Sequence, residues 1–281
     1  MPHDRMDPGG FKLAYARAPF VFGVARAVEL PGPVLVSLMS DLDGTPAANK
    51  ALLHRMTATG ALELTRAGRV GTYRMAGRLL TGFGAVRGDR ALRSAAWDGR
   101  FHALVYDIPE SRRRERDRFL VAAHEVGYRT VRPGLLIGPT DELDTVGDTS
   151  GLGVQEAWMT FPERDVPDLV ARAWRLGEFR AEYDHAVAAL QATLARDLER
   201  SAGAEALRTM FEAKAMLTGL LLRDGALPAE LTPPDWPAAR VRDLVRSVED
   251  RLWPAALAHV DEVVRTGPHT HLVVSDESWP A

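Results

Sequence analysis

Cysteine is absent from all 281 residues, which excludes disulfides, thiol catalysis, iron–sulfur clusters and cysteine-bound zinc. The absence fits a reducing compartment. Long apolar runs are missing too. Spanning a bilayer takes roughly 18 or more consecutive apolar residues, and the best stretch, Ala18 to Met39, is broken by Arg26, Glu29 and Pro31-Gly32-Pro33. The start, with Pro2, His3, Asp4 and Arg5, lacks an apolar run followed by a small-residue cleavage site, the mark of a secretory signal. A cytoplasmic protein that avoids membranes is expected. Neither sign of charge dominates, since 35 Lys and Arg face 38 Asp and Glu for a net of −3. No internal repeat or low-complexity tract is visible.

What is present is ordinary globular material, 46% hydrophobic and 26% charged. At about 100–200 residues per domain, the length suggests two or three domains with ample core. Charge is unevenly spread: residues 1–90 carry 12 basic against 7 acidic side chains, residues 91–173 carry 11 against 14, and residues 174–281 carry 12 against 17. A basic N-terminal module on an acidic body suits a nucleic-acid reader attached to a sensing part. Random scatter of charge gives the same swing.

The N-terminal third reads as three helices and two strands. Pro19 to Val28 is an apolar helix ended by Pro31-Gly32-Pro33, and Val34, Leu35, Leu38, Met39 and Leu42 mark a second, stopping at Asp43-Gly44. Thr45 is an N-cap with Pro46 at the first helical position. The third helix places Ala48, Leu52 and Met56 on one side and closes at Gly60. Ala61–Thr65 and Val70–Met75 then form a hairpin turning at Arg66-Ala67-Gly68-Arg69. Two helices at a tight turn followed by a basic hairpin make a winged helix-turn-helix pattern. A small α+β domain without a DNA role shows the same order.

Residues 76–96 read as a helical connector containing Arg78, Arg87, Arg90 and Arg93. Beyond the turn Trp97-Asp98-Gly99-Arg100 come a buried strand from Phe101 to Ile108, a helix over 111–126, and a strand region from Arg129 to Ile137 interrupted by Pro133-Gly134. A strand from Gln155 to Phe161 and a helix from Asp165 to Trp174 follow. This β-α-β-β-α order suggests a ferredoxin-like sandwich. From Glu178 onward the chain is helical: Phe179, Tyr183, Val187, Leu190 and Leu194 form one apolar stripe, suited equally to a dimer seam and to internal core. A proline-rich connection, Leu227–Pro237, leads to a final helix from Ala238 towards Val264 and a loose tail from His269. The expected architecture is α+β: a winged helix-turn-helix with connector over 1–90, a ferredoxin-like domain over 91–175, and a helical domain over 176–281.

Three stretches carry a family likeness. The first is Lys50-Ala51-Leu52-Leu53-His54-Arg55-Met56 with Thr59-Gly60-Ala61-Leu62. The second is Trp97-Asp98-Gly99-Arg100-Phe101, Val105-Tyr106-Asp107-Ile108-Pro109-Glu110 and Arg132-Pro133-Gly134-Leu135-Leu136-Ile137-Gly138-Pro139. The third is Leu227-Pro228-Ala229-Glu230-Leu231 with Pro234-Asp235-Trp236-Pro237. In this order they resemble the PaaX family of bacterial transcriptional regulators. The resemblance implies a DNA-binding homodimer, a repressor of a catabolic operon released by a small effector such as an acyl- or aryl-acetyl-coenzyme A ester, with no catalytic role and no cofactor. The helix from Pro46 departs from the pattern in being rich in alanine, with Lys50 and Arg55 its only permanent cations.

For DNA recognition, Thr45 and Asn49 are candidates for base edges, Asn because it pairs bidentately with adenine. Lys50, His54 and Arg55 would hold phosphates or guanine, and Arg66 and Arg69 would grip the backbone or minor groove from the wing tip. The run Arg112-Arg113-Arg114-Glu115-Arg116-Asp117-Arg118 suits a phosphate, but its interleaved acids suit local ion pairs better. One enzymatic alternative rests on Asp107. A strand ending Tyr-Asp-Ile-Pro resembles the ferredoxin-like endonuclease subunits of CRISPR adaptation, in which a symmetric pair of aspartates holds magnesium. Calcium-loop, phosphate-loop and nucleophile-elbow motifs are absent, and His269 with His271 lacks partner ligands in sequence.

Overall fold

The computed structural model describes residues 13–77, 79–80, 96–224 and 227–275. In chain order the elements are α1 (Leu13–Val24), β1 (Ala27–Pro31), α2 (Gly32–Leu42), α3 (Pro46–Ala58), β2 (Leu62–Ala67), β3 (Val70–Met75), β4 (Phe101–Tyr106) and α4 (Arg113–Glu125). They continue as β5 (Arg129–Arg132), β6 (Leu135–Gly138), α5 (Leu143–Val146), β7 (Val154–Met159), α6 (Val166–Ala173), α7 (Leu176–Leu194), α8 (Ala204–Asp224), α9 (Ala238–Thr266) and β8 (Val274–Ser275). Most of the expected connector, including Arg78, Arg87, Arg90 and Arg93, lies outside the described residues.

The mixed α+β character stands, with two four-stranded antiparallel sheets. The partition differs from three consecutive domains. The described residues form two compact units, one drawn from 13–77, 79–80, 186–219 and 240–275, the other from 96–185, 220–224 and 227–239.

In the first unit the sheet order is β2-β3-β1-β8. The expected helix over Pro19–Val28 is a correction: α1 starts earlier, ends at Val24, and residues 27–31 are extended. Pro31 biases the residue before it away from helix, and Arg26 turns the chain at φ 49°. Ala27 and Leu30 are buried in β1, whose Leu30 and Pro31 pair with Tyr73 and Thr72 of β3. The hydroxyl of Thr72 donates to the carboxylate of Glu29, a further tie between these strands. The core gathers Val21 and Phe22 of α1, Leu35, Leu38 and Met39 of α2, and Leu52, Leu53 and Met56 of α3.

The C-terminal helices complete this unit. Phe20 meets the edge of Phe211 at 5.2 Å between ring centroids, and Arg26 lies 5.8 Å over the Trp253 ring. Arg208 Nε donates to the Asp41 carbonyl at 2.9 Å, and His259 Nε2 lies 2.8 Å from Asp41 Oδ2. The expected loose tail is corrected as well. Thr270–Leu272 is a 3-10 turn, and β8 pairs with β1 through Ala27↔Ser275 and Glu29↔Val274.

The second unit carries the sheet β5-β6-β4-β7. The strand region over 129–137 is two strands, because Pro133-Gly134, with Gly134 at φ +82°, folds it into a hairpin. Alternation in β4 splits its side chains between two cores. Phe101 and Ala103 join Ile137, Leu169, Val170 and Trp174, whereas Leu104 and Tyr106 join Phe119, Tyr128 and Leu136. The proline-rich connection packs on the first of these through Leu231 and Trp236. Of the apolar stripe of α7, Tyr183 is buried in this unit, 5.2 Å from the Trp236 ring, Val187 and Leu190 are buried in the first unit, and Phe179 and Leu194 are half-buried.

Candidate nucleic-acid interface

The α2–α3 junction is set by local chemistry. Gly44 adopts φ +84°, a conformation that side chains other than glycine's strain to reach. Thr45 is then the N-cap, its Oγ1 accepting the Ala48 N–H at 3.2 Å, with Pro46 where a missing N–H costs nothing. Leu52, Leu53 and Met56 hold α3 to the core. The opposite face exposes Ala47, Ala48, Lys50, Ala51, His54, Arg55 and Ala58.

Asn49 is the correction at this site. It is 0% exposed, so it does not belong to the outward face. Arg17 Nη1 donates to its Oδ1 at 3.2 Å, and its Nδ2 donates to Ser40 Oγ and to the Asp43 carbonyl, both at 3.2 Å. One amide therefore ties α1, α2, the turn and α3 together. Sequence spacing placed Asn49 beside Lys50 without showing that a helix with only three large apolar residues would turn its asparagine inward. Arg17, which holds both Asn49 and Asp43, had no motif to mark it.

Electrostatics favour an anionic partner. Asp43 is paired by Arg17 Nη2 at 2.6 Å, and Asp41 is engaged by His259. Among the described residues, Lys50, His54, Arg55, Arg66 and Arg69 have no ion-pair partner, and all are exposed. Thr45 is exposed too, and its hydroxyl proton stays free to donate while its oxygen caps the helix. Arg66 and Arg69 flank the hairpin tip, where Gly68 takes φ +64°. Arg74 pairs with Glu63 at 2.6 Å on the exposed surface, a contact of little energetic weight.

The other sequence candidates sort as follows. Arg112 pairs with Glu115, Arg113 with Glu110 and Asp117, and Arg116 with Glu110, so the arginine-rich start of α4 is largely an ion-paired surface. Asp107 is exposed beyond β4. His269 and His271 face each other at 6.3 Å between ring centroids. The one grouping of three metal-type side chains among the described residues, His102, Asp141 and Glu156, includes none of them.

Fold and surface define a mixed α+β protein that turns a cationic helix and a basic hairpin tip to solvent. Residues 94–163 match the model of the PaaX protein central Cas2-like domain, and residues 174–262 that of the PaaX-like protein C-terminal domain. The chain belongs to the PaaX family. It is 26% identical over 230 residues to the transcriptional repressor PaaX of Escherichia coli K12, covering 76% of this chain and 71% of that protein. Among solved structures, the uncharacterized protein Rv0674 from Mycobacterium tuberculosis shares the fold. Its TM-score is 0.53 at 23% identity, over 82% of this chain and 89% of that one. No helix among the described residues is long and apolar enough to cross a membrane.

Proposed function

We propose that the chain is a ligand-responsive DNA-binding transcriptional regulator, a repressor of a catabolic operon that acts as a homodimer. The observation that carries this reading is the exposed face of α3, where Lys50, His54 and Arg55 stand without acidic partners among the described residues. In this reading the N-terminal module is a winged helix-turn-helix with α3 as recognition helix and β2–β3 as wing, and the β5-β6-β4-β7 sheet belongs to a ferredoxin-like domain. Lys50, His54 and Arg55 hold phosphate or guanine, Thr45 donates at the groove edge, and Arg66 and Arg69 grip the backbone. The exposed alanines let α3 approach closely and touch thymine methyl groups.

Two such modules on a two-fold dimer read a two-fold operator. The effector, of the acyl- or aryl-acetyl-coenzyme A class by family likeness, releases DNA by favouring a dimer geometry whose half-site spacing no longer matches. Moving that equilibrium from 1:99 to 99:1 takes a differential affinity of about 5.5 kcal/mol.

The test is a binding titration of the chain on a fragment of its own promoter. Each lost phosphate contact lowers the salt slope by about 0.9, so Lys50→Ala with Arg55→Ala is expected to flatten the slope by about two per module. Both residues are exposed, and circular dichroism should not change. An unaltered slope refutes the α3 interface. Cleavage of plasmid with magnesium, abolished by Asp107→Ala, would support a nuclease instead.

A further inference from the structure

Independently of the DNA-binding face, we propose that His102, Asp141 and Glu156 form a binding site for one divalent transition-metal cation on the sheet of the second unit. His102 lies mid-sheet on β4, opposite Gly138 of β6 and Trp158 of β7, and is 1% exposed. A fully buried imidazole in a central strand costs desolvation unless its nitrogens are used. Nδ1 lies 2.6 Å from the Tyr128 hydroxyl, which accepts the Glu142 N–H at 3.1 Å. Trp158 covers the ring at 5.0 Å between centroids. The ring is therefore held from one nitrogen and one face.

Two carboxylates close on it from different segments. Glu156 of β7 brings Oε2 to 3.4 Å from Nε2, and Asp141, before α5, brings Oδ1 to 3.6 Å from Nδ1. One donor atom from each of the three residues lies within 4.8 Å of the others. Ligands bound to one cation at 2.0–2.2 Å stand about 3.3 Å apart, so Glu156 already stands near its place for a cation on Nε2, while Asp141, which faces Nδ1, has to turn toward it. Both side chains are half exposed, at 50% and 56%; Asp141 Oδ1 also accepts the Leu143 N–H at 3.0 Å, which leaves its second lone pair and Oδ2 for a cation. That exposure also supplies an entry path. Among the described residues no Lys or Arg pairs with either acid. Arg100, the nearby cation, is committed to Asp98 and to the Trp158 ring, 4.9 Å away. Two unneutralised carboxylates beside an imidazole attract a cation.

One nitrogen and two oxygens suit Zn²⁺ or Mn²⁺, with water as a further ligand, better than Mg²⁺ or Ca²⁺, which prefer oxygen alone. Tyr128 would be the positioning residue: by accepting a hydrogen bond from Nδ1–H it keeps the proton on Nδ1 and leaves the Nε2 lone pair for the metal. A bound cation would pin the Asp141 segment and the edge strand β7 to β4.

The experiment is calorimetric titration of the chelator-stripped full chain with Zn²⁺ and, separately, Mn²⁺, alongside thermal melting. The expected result is one site per chain and a raised Tm. Binding should weaken at least about tenfold in both Glu156→Gln and Asp141→Asn, and also in Tyr128→Phe, where lost outer-shell support costs about 10–100-fold. Both acids are exposed, so these variants should fold whatever becomes of His102. No saturation at concentrations on the order of 0.1 mM overturns the proposal. So does unchanged affinity in either acid variant, or loss of binding on His269→Ala with His271→Ala, which would move the site to that histidine pair.

Discussion

Replacing Asn49 by alanine separates a locking role from a reading role. The amide, itself 0% exposed, makes three hydrogen bonds at 3.2 Å, to Arg17, Ser40 and Asp43. After truncation Ser40 still donates to the Val36 carbonyl at 2.8 Å, and Arg17 keeps Asp43 at 2.6 Å. Two groups are deserted: the Asp43 carbonyl and Arg17 Nη1, the latter on a side chain only 11% exposed. A deserted buried group costs about 1–3 kcal/mol; Asp43 is largely exposed, so water recovers much of its carbonyl's loss, which is about 1 kcal/mol, and the sum is about 2–4 kcal/mol. For a folding unit of this size that lowers Tm by very roughly 5–15 °C. The assay pairs differential scanning calorimetry with promoter titration at a temperature where the variant stays folded. The expected outcome is a lower Tm with DNA affinity weakened across all sequences, because α3 has lost its anchor to α1 and α2. An unchanged Tm accompanied by relaxed preference at one base pair would show that Asn49 reads DNA after all, and the structural argument would fall.

Phe211→Ala should cost about 3–5 kcal/mol in the cooperative unfolding of the first unit, since the ring is buried against Phe20; limited proteolysis of residues 13–75 should accelerate with it. Were the N-terminal module independent of α8, its protection would not change. Burial pushes the Tyr128 hydroxyl up to about 12, with nearby Asp141, Glu142 and Glu156 adding to the effect against the opposing hydrogen bond from the Glu142 amide. Because the folded value exceeds the unfolded one, the contribution is complete below pH 10 and is lost as pH rises through 12. Urea midpoints between pH 9 and 12 should show that alkaline limb in the wild type and lack it in Tyr128→Phe.

Local rules in the chain were legible where they act locally. Thr45-Pro46 after Gly44, the alternation of β2 and β3, the turn at Pro133-Gly134 and the cationic positions of α3 all follow from capping, turn chemistry and periodicity within a few residues. Long-range pairing was not legible. Nothing adjacent to residues 27–31 announces that they form a strand between β3 and β8, because the partners lie over forty and over two hundred residues away. The α7 stripe shows the same limit: its period marks an apolar face, and the face fits a partner chain or its own core equally well.

The sequence alone determined that this is a cysteine-free α+β chain with a capped, cationic helix followed by a basic hairpin, because those features depend on neighbours in the chain. Only the tertiary structure decided that Asn49 points inward to Arg17, that the last strand closes the first sheet, and that His102 meets Asp141 and Glu156. Each of those facts is a contact between residues far apart in the chain, held by hydrogen bonds, strand pairing or charge across segments that linear order does not bring together.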